Sequence, residues 1–240
     1  MSLAGRTALV TGASSGIGRA IALALAREEA IVWIVGRDPA KLAQTASAAK
    51  QPFAIKQFTT DLAREDNVSA LVNHFRDEAR LDILVHSVGT IQLGLMHQAR
   101  IADLDSQFAT NVRAPYLLTQ KFLPLLTRAH GQVVFINSSA GLNAKRPEVG
   151  QYSATKHALK AIADSFREEV NSKGVRVLSV YAGRTATPMQ EAIFRSEGRQ
   201  YNPGALLQPE DIAIIVLQCL MLPPTAEVTD LNIRPMQRLV

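Results

Sequence analysis

A single cysteine, Cys219, stands among the 240 residues, so no internal disulfide can form within the chain. Its setting in the apolar run "IAIIVLQCLML" predicts a buried thiol rather than a nucleophile or a metal ligand, and no bound metal is expected. No uninterrupted apolar run approaches the roughly 18 residues that a membrane span requires, so no membrane association is expected. The opening "MSLAGRTALVTGASSG" carries no basic-led apolar stretch with a cleavage site, and a secretory leader is not expected either. These absences point to a cytoplasmic protein in a reducing compartment. Aromatic residues amount to only 5% and the basic residues are scattered, so the net charge of +5 does not predict a nucleic-acid partner. It is compatible with a phosphate-bearing ligand. Linkers rich in Gly and Ser are missing, as are internal repeats, and the length suits one sizeable core, so residues 1–240 are expected to form a single domain.

Short β-branched runs alternate with longer helical patterns throughout the chain. Strands are expected over residues 7–11, 31–35, 54–59, 83–86, 132–137, 175–180 and 228–233, and helices near 16–29, 39–49, 64–80, 101–129, 151–173 and 209–221, with a kink at Pro115. Several strands are apolar with little alternation, as strands covered on both faces should be. The class predicted is α/β, a Rossmann-type, doubly wound, parallel seven-stranded sheet with helices on both faces. One stretch breaks the rhythm. Residues 183–208 are too long for an ordinary connection and are expected to form a substrate lid.

The stretch "TGASSGIG" follows the first expected strand and opens the first expected helix. Gly12 permits the tight turn, Gly16 lets the backbone approach a ligand, and Gly18 allows close helix–strand packing, which leaves free N–H groups of a helix N-terminus for a pyrophosphate. After the second strand the sequence reads "VGRDP", where an acidic residue would recognise a ribose 2′-hydroxyl. Arg37 instead offers a planar cation to a 2′-phosphate, and Asp38 is placed to cap the next helix before Pro39. NADP(H) is therefore expected rather than NAD(H). Tyr152 and Lys156 of "GQYSATKHAL" lie four residues apart and share a helix face, where the ammonium is expected to favour ionisation of the tyrosine.

With the asparagine of "FATNVRAPYLLTQ", these motifs stand in one order and spacing, and the sequence resembles the short-chain dehydrogenase/reductases over essentially its whole length. The resemblance implies a cofactor loop at Thr11, Gly12, Ser14, Ser15, Gly16, Ile17 and Gly18, adenine contacts at Asp61 and Leu62, and further cofactor contacts at Gly89, Gly183 and Thr187. It implies catalytic roles for Asn111, which holds a water relay, and for a serine, Tyr152 and Lys156, the last two also meeting the cofactor. "INSSAG" offers two serines: strand register favours Ser138, while counting back thirteen residues from the tyrosine gives Ser139. Two segments depart from the family pattern. "HSVG", residues 86–89, replaces its Asn-Asn-Ala-Gly, and "YAG" replaces its Pro-Gly after the sixth strand; His86 is expected to be a packed strand-end residue. The activity implied is interconversion of a small carbonyl compound and a secondary alcohol by hydride transfer. The alternative is a catalytically silent NADP(H)-binding sensor or scaffold. Family members are often homodimers or homotetramers, although the ending "EVTDLNIRPMQRLV" lacks the family's frequent Asp-Gly-Gly.

Overall fold

The computed structural model describes residues 2–50, 54–75, 78 and 80–237. Seven strands, β1 (Thr7–Thr11), β2 (Ile31–Gly36), β3 (Ile55–Thr59), β4 (Ile83–His86), β5 (Gln132–Ser138), β6 (Arg176–Ala182) and β7 (Asp230–Ile233), pair in parallel in the order β3-β2-β1-β4-β5-β6-β7. Around them lie α1 (Gly16–Arg27), α2 (Pro39–Ser47), α3 (Glu65–His74), α4 (Ile101–Phe108), α5 (Ala114–Ala129), α6 (Gly150–Val170), α7 (Pro188–Ser196) and α8 (Pro209–Leu220).

The period-2 alternation of the strands divides the core into two layers. Leu9, Phe135 and Val177 face one side and pack with Phe122 of α5 and Phe166 of α6. Val10, Val134 and Val180 face the other and pack with Ile21 of α1 and Val216 of α8. Each fully buried aliphatic or aromatic side chain contributes about 1.5–3 kcal/mol by leaving water, which is why these strands tolerate almost no polar residue. β1 pairs with β2 on one side and β4 on the other, with Thr11 opposite both Val35 and His86. The chain leaves this point in opposite directions, so a crevice opens beyond the C-terminal ends of the strands.

Several local expectations are revised. Residues 101–129 are not simply kinked at Pro115. A π-helical stretch, Ala109–Arg113, joins α4 to α5, and Pro115 falls in the first turn of α5. The wider i→i+5 turn takes up the disruption there. Helix α3 ends at His74, well short of residue 80, and residues 76, 77 and 79 of the expected helix lie outside the described residues. Residues 183–208 contain α7, a short 3-10 turn at Pro203–Ala205, and a bridge between Thr185 and Leu207 that closes the base of the segment. The start of α7 had a readable signal, because Thr187 accepts from the Gln190 N–H as N-cap and Pro188 follows it. Cys219 is half-buried beside the core rather than enclosed, and burial raises its pKa. Among the described residues, no helix is long and apolar enough to cross a membrane.

Candidate active site

The crevice begins at the glycine loop. Gly12 and Gly16 adopt left-handed backbone angles, with φ of +67° and +53°. A Cβ on Gly12 would lie 2.7 Å from Ser87 O and Val88 N, and one on Gly18 would lie 2.5 Å from Gly12 O. Only glycine lets the loop press against the segment after β4 and then turn into α1. Helix α1 starts at Gly16 with no side-chain cap, so its first N–H groups face the crevice as an anion site.

Beyond β2, exposed Arg37 makes no hydrogen bond or ion pair among the described residues, while Asp38 caps α2 through the Lys41 N–H at 3.1 Å. Asp61 turns the chain after β3 by accepting from Ala63 N at 3.1 Å, and buried Leu62 follows it. The "HSVG" segment is held by other means than asparagines. The Thr11 hydroxyl accepts from Ser87 N and Val88 N at 3.1 and 3.3 Å and donates to Val85 O. His86 is buried, stacks on Phe135 and shares a 2.8 Å hydrogen bond with the Thr119 hydroxyl. Burial lowers its pKa to about 3, so it is neutral near pH 7.

Across the crevice, β5 and α6 bring a serine, the tyrosine and the lysine together. The Ser138 hydroxyl accepts from Ala140 N at 3.2 Å and is near enough to Tyr152 to act on its pKa, whereas Ser139 is exposed at the start of the turn Ser139–Gly141. Lys156 is buried, donates to Ile136 O at 3.0 Å, and lies 5.9 Å from the Tyr152 ring centroid. The direction of the Tyr152 shift is opposite to the one expected from the lysine. Burial raises the Tyr152 pKa and outweighs the opposing influence of the Ser138 hydroxyl, while burial also lowers the Lys156 ammonium to about 8. Desolvation disfavours both charged forms.

Asn111, carried on the π-helical stretch, is a clamp. Its amide donates to Thr90 O at 2.9 Å and to Thr155 Oγ1 at 3.0 Å, and its Oδ1 accepts from Thr90 N at 2.8 Å. The loop after β4 is thereby tied to α6 one residue before Lys156. Asn137 plays a similar part, which sequence reading missed: it donates to Lys156 O at 3.1 Å and accepts from Ser138 N at 2.8 Å. A polar residue ending an otherwise apolar central strand was the available signal. Gly183 is imposed by the C-terminal segment, since a Cβ there would lie 3.0 Å from Pro235 and 3.1 Å from Arg234.

One cavity of about 620 Å³ is lined by Gly12, Ser14, Ser15, Gly16, Ile17, Arg37, Asp61, Leu62, Gly89, Ser138, Ser139, Tyr152, Lys156, Gly183 and Thr187. Gly18 and Asn111 stand behind its wall, shaping the loop and α6 respectively. The cavity's other lining side chains include Lys145, Arg146, Arg184 and Gln190. A glycine cradle that side chains would fill, a bare helix N-terminus and an unpaired arginine fit a phosphate-bearing dinucleotide. Among the described residues, no group of three or more His, Cys, Asp or Glu side chains could hold a metal ion.

Residues 6–198 match the family model of the short chain dehydrogenases. An uncharacterized oxidoreductase of Staphylococcus epidermidis is 30% identical over 96% of this chain and 97% of its own, and an uncharacterized short-chain type dehydrogenase/reductase of Sinorhizobium fredii is 33% identical over 97% and 92%. Among solved structures, a Shigella flexneri protein described as a short chain dehydrogenase and complexed with NADP superposes with a TM-score of 0.86 at 31% identity, over 96% of this chain and 98% of that one. An alcohol dehydrogenase from Thermococcus sibiricus, complexed with 5-hydroxy-NADP, shares the fold with a TM-score of 0.87 at 24% identity, over 98% and 99%. The chain belongs to the short-chain dehydrogenase/reductase family of oxidoreductases.

Proposed function

We propose that this protein interconverts a carbonyl compound and a secondary alcohol by hydride transfer, with NADP(H) preferred over NAD(H). The observation that carries the reading is that Ser138, Tyr152 and the buried Lys156 line one cavity together with the glycine loop. The preference for NADP(H) rests on Arg37, which is exposed, lacks a partner among the described residues, and lines the same cavity. The Shigella relative's complex with NADP supports it.

Gly12, Ser14, Ser15, Gly16 and Ile17 would hold the pyrophosphate, Arg37 the 2′-phosphate, Asp61 and Leu62 the adenine side, and Gly89, Gly183 and Thr187 the nicotinamide side. Bound there, the cofactor supplies or accepts the hydride. The chain's own residues manage the oxygen and its proton. Ser138 orients the substrate oxygen, and Tyr152 passes a proton to it during reduction. Burial keeps that tyrosine protonated near pH 7, the form that can donate. Lys156, fixed by Ile136 O, holds positive charge behind the tyrosine and steadies the tyrosinate left after the transfer. Both Asn111 amide hydrogens are engaged, so a relay water there would be held by an acceptor of that residue.

Residues 1–240 act in this reading as a single dinucleotide-binding and catalytic domain, and 183–208 as its substrate lid. A cytoplasmic location is supported by the single cysteine, and a homodimer or homotetramer by the exposed Ile101 and Tyr116 on α4 and α5. The test is Tyr152→Phe, which removes one hydroxyl and should abolish NADPH-dependent carbonyl reduction while leaving NADPH binding intact. Retained turnover would refute the assignment. NADPH binding with no turnover by the native protein across a broad carbonyl and alcohol panel would favour the silent-scaffold alternative.

A further inference from the structure

The substrate end of the cavity carries positive charge that proton transfer does not use. Lys145, Arg146 and Arg184 line it, and the lining contains no acidic residue besides Asp61, which lies after β3 on the far side of the glycine loop. Arg184 is seated rigidly. Its guanidinium lies 4.8 Å from the centroid of the Phe194 ring, and its Nη2 donates to both carboxylate oxygens of Glu197 at 3.0 and 3.1 Å. Arg146 and Arg199 reach the same carboxylate, the former by a short hydrogen bond and the latter at 3.6 Å. Burial alone would raise the Glu197 pKa, but the hydrogen bonds and charges of Arg184 and Arg146 hold it below its ordinary value. One carboxylate therefore faces three guanidiniums, and the cluster keeps a net positive charge.

Two donors in this wall are left over. Arg184 Nη1 and Gln190 Nε2 are buried, and neither has a hydrogen-bond partner among the described residues. Both belong to cavity-lining residues that flank Gly183 and Thr187. Buried donors without acceptors are costly, and a charged one most of all, unless a ligand supplies the acceptor.

We propose that the substrate is an organic acid, a carbonyl or hydroxy compound whose carboxylate is bound by Arg184 and Gln190, with Lys145 attracting it at the cavity mouth. This deepens the oxidoreductase reading above and rests on it for the carbonyl, though not for the anion. A planar guanidinium edge matches a carboxylate, and a charge-assisted contact of this kind is strong enough to set specificity. Glu197 and Phe194 are positioning residues, because they fix the guanidinium through Nη2 and the ring face and leave Nη1 without an acceptor.

The test compares acetoacetate, levulinate and 5-oxohexanoate with their methyl esters, which keep the carbonyl and lose the charge, using NADPH and the full chain. For at least one spacer length, kcat/KM for the acid should exceed that for its ester by about ten- to a hundredfold. Arg184→Gln should remove most of that advantage through KM, and NADPH affinity measured by fluorescence should stay unchanged. Gln190→Met leaves every ion pair intact and should narrow the same gap, which guards against Arg184→Gln acting through a loosened α7. Esters preferred at every spacer length, equal losses on acid and ester, or loss of NADPH affinity in Arg184→Gln would overturn the proposal. A parallel arm measures thermal stabilisation of the NADPH-bound protein by hexanoate and by hexanamide. Stabilisation by hexanoate alone, abolished by Arg184→Gln, supports the anion site even if no carbonyl is turned over, an outcome that would sink the oxidoreductase reading by itself. Turnover of neutral ketones and esters without response to any acid would leave that reading standing and overturn this one.

Discussion

Gly141 lets β5, which carries Ser138, approach α6, which carries Tyr152 and Lys156, the two halves of the proposed proton-transfer site. It lies in the turn after β5, and a Cβ there would meet Asn137 Oδ1 at 2.7 Å, Lys156 O at 2.8 Å and Lys156 C at 3.1 Å. Asn137 cannot swing aside cheaply, because it is bonded to both Ser138 N and Lys156 O. The other two atoms are backbone of α6. Restoring ordinary contact at 3.4 Å requires a displacement of about 0.6–0.7 Å, mostly of the helix that carries Tyr152 and Lys156 away from the strand that carries Ser138. Overpacking of this kind costs about 1–3 kcal/mol. For a chain of this size that lowers Tm by roughly 2–10 °C. Misplacing catalytic groups by about 1 Å can cost on the order of a hundredfold in rate, so Gly141→Ala should lower kcat by roughly ten- to a hundredfold. NADPH affinity should change little, because the glycine loop lies across the crevice. Thermal unfolding, NADPH titration and steady-state carbonyl reduction measure the three quantities. A lowered Tm with unchanged kcat would refute the claim that Gly141 sets the spacing between Ser138 and α6.

Arg37→Ala should weaken NADPH by about ten- to a hundredfold, through loss of a charge-assisted contact, and leave NADH nearly unaffected; equal losses in a fluorescence titration would show that Arg37 does not read the 2′-phosphate. For His86, the folded pKa of about 3 lies below the unfolded 6.5, so its contribution to stability is complete above pH 6.5 and is lost as pH falls toward 3, on the order of 5 kcal/mol at the limit. Urea unfolding of His86→Phe should then depend less on pH across that window, and an unchanged pH dependence would contradict the assignment. Asp82, buried at the N-terminal edge of β4, accepts from Arg6, Arg80 and Thr7 N. Asp82→Ala should cost about 2 kcal/mol in urea unfolding, and Asp82→Asn less, because it keeps an acceptor for Thr7 N; equal losses would mean that the charge pairs alone matter.

Local chemistry made much of this protein legible in its sequence. Strand and helix periods report which faces are apolar, and the glycine loop reports backbone angles that only Gly12 and Gly16 adopt comfortably, so the sheet, its strand boundaries within one or two residues, and the turn into α1 could be read directly. Asp38 was equally readable, since an N-cap before proline is a local fact. Tertiary structure decided what depends on partners distant in sequence. The environment of Tyr152 is set by strands and loops from other parts of the chain, and the burial they impose raises a pKa that the i,i+4 lysine was expected to help lower. Ser138 rather than Ser139 meets the tyrosine because β5 ends there and the next residues turn away. Arg184 and Glu197 are thirteen residues apart, with α7 between them, and only its packing shows that they meet with one guanidinium nitrogen left unpaired. Spacing within an element fixes which side chains can share a face, but burial and charge are sums over neighbours brought in by the whole fold.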